Sequence, residues 1–88
     1  MIAVILSFTD DPARLELRPR HRELLGELHE QGLLVAAGPF ADQSGALLLF
    51  ASGDVAEVKT ALARDPYYGA PGVQIVAIQP WTVVTGAV

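Results

Sequence analysis

Eighty-eight residues, 51% hydrophobic and only 18% charged, are enough for one small domain and leave no room for a second core. A net charge of −4 argues against nucleic acid as a partner, because phosphate binding needs a basic surface. Without cysteine there are no disulfides and no thiolate chemistry, and two histidines with scattered carboxylates disfavour a structural zinc site.

The chain opens Met1-Ile-Ala-Val-Ile-Leu6 with no basic leader, and its apolar runs stop short of a membrane span, so a cytoplasmic location away from membranes is expected. Ile2 to Phe8 is apolar, rich in β-branched residues and too short for a buried helix. It predicts a strand buried on both faces. Thr9-Asp-Asp-Pro12 breaks it with turn chemistry. Arg14, Arg18, Arg20 and Arg22 are four of the six basic residues. They read either as a solvated helix start, opposed by the dipole, or as a local site for an anionic ligand.

The next stretch, Arg18 to Gln31, has helical periodicity. Pro19 suits the first turn, where its missing N–H costs nothing, and Gly32 suits the C-terminal cap. At 100° per residue, Leu24, Leu25 and Leu28 share a face with His21, while Arg20, Glu23, Glu27, Glu30 and Gln31 take the opposite one. His29 falls on the flank and reaches water. His21 is the anomaly: an imidazole at the centre of an apolar stripe needs a partner.

Leu33 to Ala37 predicts a second strand, ended by Gly38-Pro39. Phe40 to Gly45 is a connecting turn into a third strand, Ala46 to Ala51. Asp54 is the expected N-cap of a second helix, with Glu57 completing a capping box and Val55, Val58, Ala61 and Leu62 on its buried side. Asp65-Pro66 ends that helix, since a residue before proline avoids the α region. Tyr67 to Gly72 reads as a loop. Val73 to Val84 reads as a long last strand with an edge, bend or bulge at Pro80. The order β-α-β-β-α-β predicts an α+β, ferredoxin-like fold, one four-stranded antiparallel sheet with both helices on one side.

Two features point beyond the fold. The strands are apolar on both faces, Ala3 and Ile5 opposing Ile2, Val4, Leu6 and Phe8, and Leu47 and Leu49 opposing Leu48 and Phe50. A bare sheet face of that kind predicts a homodimer packed sheet to sheet. The second feature is Asp65, at the end of the second helix, where the dipole disfavours an anion. With both helices on one sheet face, His21 and Asp65 are positioned to meet. If Asp65 contacts His21, the folded-state pKa of the imidazole is expected to be raised, unless burial outweighs the pairing. A carboxylate on one ring nitrogen fixes the tautomer and makes a general base or acid; a purely structural pair is the competing reading. No serine stands in a nucleophile context, which favours proton transfer over covalent catalysis.

The weaker candidates are Tyr67 and Tyr68, as hydrogen-bond donors to a substrate or as packing residues, and Gly38, as a turn or a point of close backbone approach. Trp81 reads as core or dimer contact.

In this order the residues resemble the YciI-like (YCII-related) family. The matching pieces are Arg18-x-x-His21, Gly32-x-Leu34-x-x-Ala37-Gly38-Pro39, Gly45 before an apolar strand, Asp65-Pro66-Tyr67, Gly72 and Pro80-Trp81. The resemblance implies a dimeric α+β barrel of ferredoxin-like subunits with a His and an Asp as the active-site pair, here His21 and Asp65. It also brings a relative that acts as a dehydrochlorinase on a chlorinated hydroxyhydroquinone, and muconolactone isomerases that share the fold. The loop Tyr67-Tyr-Gly-Ala-Pro-Gly72 departs from the family pattern at Pro71.

The expectation is a small enzyme with no cofactor and no metal, doing acid/base chemistry, isomerisation or elimination, on a small cyclic or oxygenated organic molecule. His21 would be base or acid, Asp65 its orienter, and Arg18, Gly38 and Tyr67 the substrate contacts. If the arginines serve an anionic substrate, Arg18 is expected to matter and Arg14 not. The alternative is a non-catalytic dimeric module that binds a small molecule or a partner domain.

Overall fold

The structure, a computed structural model, describes residues 1–88. Its elements are β1 (Ile2–Phe8), α1 (Ala13–Glu30), β2 (Leu34–Pro39), β3 (Gly45–Phe50), α2 (Val55–Ala63), a 3-10 turn (Pro66–Gly69) and β4 (Val73–Pro80). β1 is central, antiparallel to β3 on one side and to β4 on the other, with β2 outside β3. The order β2-β3-β1-β4 is the ferredoxin-like α+β arrangement expected from the sequence.

The alternation of β1 sends Ile2, Val4 and Leu6 to one face, beside Leu48 and Phe50 of β3. Val58, Ala61 and Leu62 of α2 close over them with Leu17, Leu25 and Leu28 of α1, making one core on one side of the sheet. The other face keeps Leu47 at 39% and Val76 at 58% exposure. No helix is long and apolar enough to cross a membrane.

Several boundaries move, each for a local reason. α1 begins at Ala13, so Pro19 lies inside the helix and not in its first turn. The early start comes from Asp11, whose carboxylate accepts the Ala13 N–H at 2.9 Å, and the added turn brings Leu17 onto the core. Pro19 gives up one backbone bond from the exposed side of the helix. The C-terminal end follows expectation. Gly32 sits at φ 79, its N–H bonds the His29 carbonyl, and the Leu33 N–H bonds that of Leu28. That pair of bonds is the glycine-dependent Schellman stop. His29 faces out, but its Nδ1 donates to the Leu34 carbonyl at 2.9 Å and so ties the helix end to β2.

β2 runs through Gly38 and Pro39, which pair with Leu47 and Ala46, where a stop before them was expected. An edge strand tolerates proline because its outward N–H has no ladder partner to lose. In α2, Asp54 caps as expected, accepting the Ala56 N–H at 2.9 Å. The Glu57 half of the capping box is replaced by Ser52, whose Oγ accepts the Asp54 N–H. β4 ends at Pro80 and not at Val84, since Pro80 already pairs with Ile2, the first residue of β1. Beyond it one bond remains, from the Trp81 N–H to the Met1 carbonyl. A register shift opposite Ile5 and Leu6 leaves Val76 unpaired as a bulge.

Gly45 of β3 lies opposite Ser7 of β1. A Cβ there would lie 1.9 Å from the Leu6 carbonyl oxygen, which belongs to the rigid central strand. Gly45→Ala therefore forces β1 and β3 apart. An expected loss of about 1–3 kcal/mol or more, measured by urea unfolding, follows from overpacking a site that cannot give. Gly38→Ala is the control, because a Cβ at that position meets nothing within 4 Å.

Candidate active site

The local fold around Asp65 differs from the sequence expectation in a way that changes its energetics. α2 stops at Ala63, Arg64 is its cap, and Asp65 is extended at φ −112, ψ 115. Pro66 enforces this by disfavouring the α region one residue earlier. Asp65 then becomes the N-cap of the 3-10 turn, its Oδ1 accepting the Tyr67 N–H at 2.9 Å. The carboxylate does not end a helix with the wrong charge; it begins a turn with the right one. The dipole penalty expected from sequence is absent.

His21 comes from the middle of α1 and is buried there, 44 residues away in sequence from Asp65. The two meet directly, with His21 Nδ1 2.6 Å from Asp65 Oδ2. An ionised carboxylate only accepts, so the proton lies on Nδ1 and the lone pair on Nε2. Tyr67 stacks flat on the imidazole at 3.8 Å and 8°, and Tyr68 meets it edge-on at 5.3 Å. Both members of the pair are 7% exposed. Nε2 has no partner within the chain, yet it is not sealed in, because the one buried side-chain polar atom left unpaired is the Tyr68 hydroxyl.

Burial is the largest influence on His21 and lowers its pKa from the ordinary 6.5. The hydrogen bond and charge of Asp65 pull it back up, and the Arg22 charge lowers it. Burial outweighs pairing. The imidazole is thus neutral at neutral pH, with Nε2 available as a base. Because the folded form prefers the neutral ring, its contribution to stability is complete above pH 6.5. That contribution drains away as the pH falls from there toward the depressed folded value.

Nearby lies a cleft of about 350 Å³ between α1, the first strand and the β2–β3 hairpin. His21, Arg18, Gly38 and Tyr67 all line it, while Asp65 stands behind His21. Arg14 and Arg22 line the same cleft as Arg18. The i, i+4 spacing of Arg14, Arg18 and Arg22 was the available signal, since it places all three on one helical face. Phe8 and Gln43 were missed altogether; both line the cleft, and Gln43 adopts φ 62, a conformation unusual for a residue of its type. Only tertiary packing brings them there. Tyr68 does not line the cleft, and burial with the nearby Asp65 charge pushes its hydroxyl far above its ordinary pKa. No three His, Cys, Asp or Glu side chains gather as a metal site.

A ferredoxin-like α+β fold carrying a buried His–carboxylate pair beside a cationic cleft defines the class. The chain belongs to the YCII-related domain family, whose sequence model matches residues 1–82. No curated protein matches the chain.

Proposed function

We propose that this chain is a cofactor-independent acid/base enzyme in which His21 Nε2 takes a proton from a small cyclic or oxygenated organic substrate. The observation that carries this reading is the 2.6 Å bond from Nδ1 to a carboxylate, on a ring whose other nitrogen has no partner and which borders the cleft. Asp65 orients the ring and stabilises the imidazolium formed on proton transfer. In an elimination of the dehydrochlorinase kind, the C–H electron pair becomes a new π bond. The leaving group departs with its own pair, and the proton stays on Nε2. In an isomerisation the same proton returns at another carbon. Arg18, Gly38 and Tyr67 hold the substrate. The working unit is a homodimer through the open sheet face, supported by exposed Leu47 and Val76 and by the dimeric barrel that the family resemblance implies.

The test is a screen of small chlorinated and hydroxylated aromatics and lactone acids with the wild type and His21→Gln. A general base is worth about 10²–10⁴-fold, and His21→Gln should lose that on any accepted substrate. Equal turnover by the two proteins, or none by either across the screen, assigns the pair to the non-catalytic binding module instead.

A further inference from the structure

The ladder Arg14, Arg18 and Arg22 is the strongest feature the proposed chemistry leaves unexplained. In a chain of net charge −4, three cations line one cleft and no carboxylate lines it with them. The ion pair formed by an arginine of this helix is Arg20–Glu23, on the exposed side. Arg14 is fixed by stacking its guanidinium 4.2 Å over the Phe8 ring, which leaves its N–H edge available. Successive rungs lie about 6 Å apart along the axis, and Arg18 stands about 4.5 Å from His21 along it. Like charges held this way repel, and none of the three forms an ion pair with a carboxylate.

We infer that the cleft selects an organic acid, its carboxylate bound by Arg18 and Arg22 and its apolar body seated against Phe8, Leu25 and Leu48. This rests on the same site as the proposed function and names the substrate class. Arginine is suited to it, because the planar guanidinium matches a carboxylate in a two-bond fork. The apolar wall favours a carbon body over a bare mineral anion. A volume of about 350 Å³ suits a single-ring acid. Gln43 adds a neutral amide from the hairpin wall, held in a backbone conformation that glycine would adopt more readily.

The arrangement also couples binding to the base. The groups around His21 are Arg18 and Arg22 on its own helix and Asp65, Tyr67 and Tyr68 from the 3-10 turn. Of the two arginines, Arg22 acts to keep the ring unprotonated. An anion that neutralises Arg22 lifts that influence, so a bound acid raises the pKa of His21 and improves it as a base.

Sodium benzoate, benzamide and inorganic phosphate are the probes, with calorimetry for affinity and NMR for the His21 titration. Benzoate should bind, raise the His21 pKa and bind about tenfold or more weakly to Arg18→Gln and to Arg22→Gln, as loss of a charge-assisted bond requires. Arg20→Gln should bind like wild type. Benzamide binding as tightly as benzoate, phosphate binding more tightly than benzoate, or arginine variants indistinguishable from wild type would overturn the inference. His21→Gln separates the two readings. It should keep benzoate affinity while losing turnover, so benzoate binding without any turnover sinks only the enzyme. Turnover of a neutral substrate by a cleft indifferent to benzoate sinks only the acid.

Discussion

Asp65→Asn is expected to reduce turnover by about 10²–10⁴-fold while leaving the fold in place. The substitution keeps the acceptor for the Tyr67 N–H, which Asp65 Oδ1 holds at 2.9 Å. What changes is the atom facing His21. An amide nitrogen in the Oδ2 position donates, so Nδ1 must accept, and the ring proton moves to Nε2. The lone pair that faces the cleft is then gone. The pKa of His21 falls further as well, because the two influences of Asp65 that raise it disappear, and burial and Arg22 remain. A neutral amide also stabilises an imidazolium less than a carboxylate does.

The measurement is a ¹⁵N-detected titration of both histidines in wild type and Asp65→Asn, with pH–rate profiles on any accepted substrate. His21 should switch tautomer and titrate lower, while the hydrogen bond of His29 to the Leu34 carbonyl should stay in place. The loss of stability on acidification below pH 6.5 should deepen, since a lower folded pKa widens the interval in which the unfolded chain binds the extra proton. An unchanged His21 tautomer and titration would remove Asp65 from the proposed pair.

The second large effect concerns assembly. Sedimentation at micromolar concentration is expected to give twice the 9.4 kDa chain mass, and Leu47→Arg is expected to return it to one. Both helices lie on one sheet face, so the other is covered only if something docks there. Leu47 pairs with Ile5 in the middle of the sheet and is 39% exposed. A two-fold sheet-to-sheet contact brings that position into a dry interior from both copies at once. Two arginines placed there without partners meet a desolvation penalty on the order of several kcal/mol per ion. The single chain should tolerate the change, because the side chain leaves the core side untouched. A wild type that sediments as a monomer rejects the dimer and the barrel; a dimeric Leu47→Arg moves the interface to another surface.

The reach of the sequence is clearest where periodicity and local stops act alone. Ile2 to Phe8, the stop at Gly32, the Asp54 cap and the break at Asp65-Pro66 were all legible, because each depends on residues within a few positions. Strand order followed from the element order, since short connections and handedness leave few alternatives. His21 stands out in the sequence as a polar residue on an apolar stripe, and Asp65 as a charge at an unfavourable helix end. In the fold Asp65 caps a 3-10 turn and does not oppose a helix dipole.

What the tertiary structure decided is whatever depends on distances between segments remote in the chain. Only packing α1 against the 3-10 turn fixes Nδ1 at 2.6 Å from Oδ2, stacks Tyr67 on the ring and makes burial the dominant influence on its pKa. Only the docking of the β2–β3 hairpin beside that helix turns an arginine run into one wall of a cleft with Gln43 on another. The sequence by itself determined the elements and the anomalous residues, because hydrophobic periodicity and turn chemistry are local. The protonation state of His21 and the shape of the cleft waited on the fold, because desolvation and cavity walls are sums over residues that sequence keeps far apart.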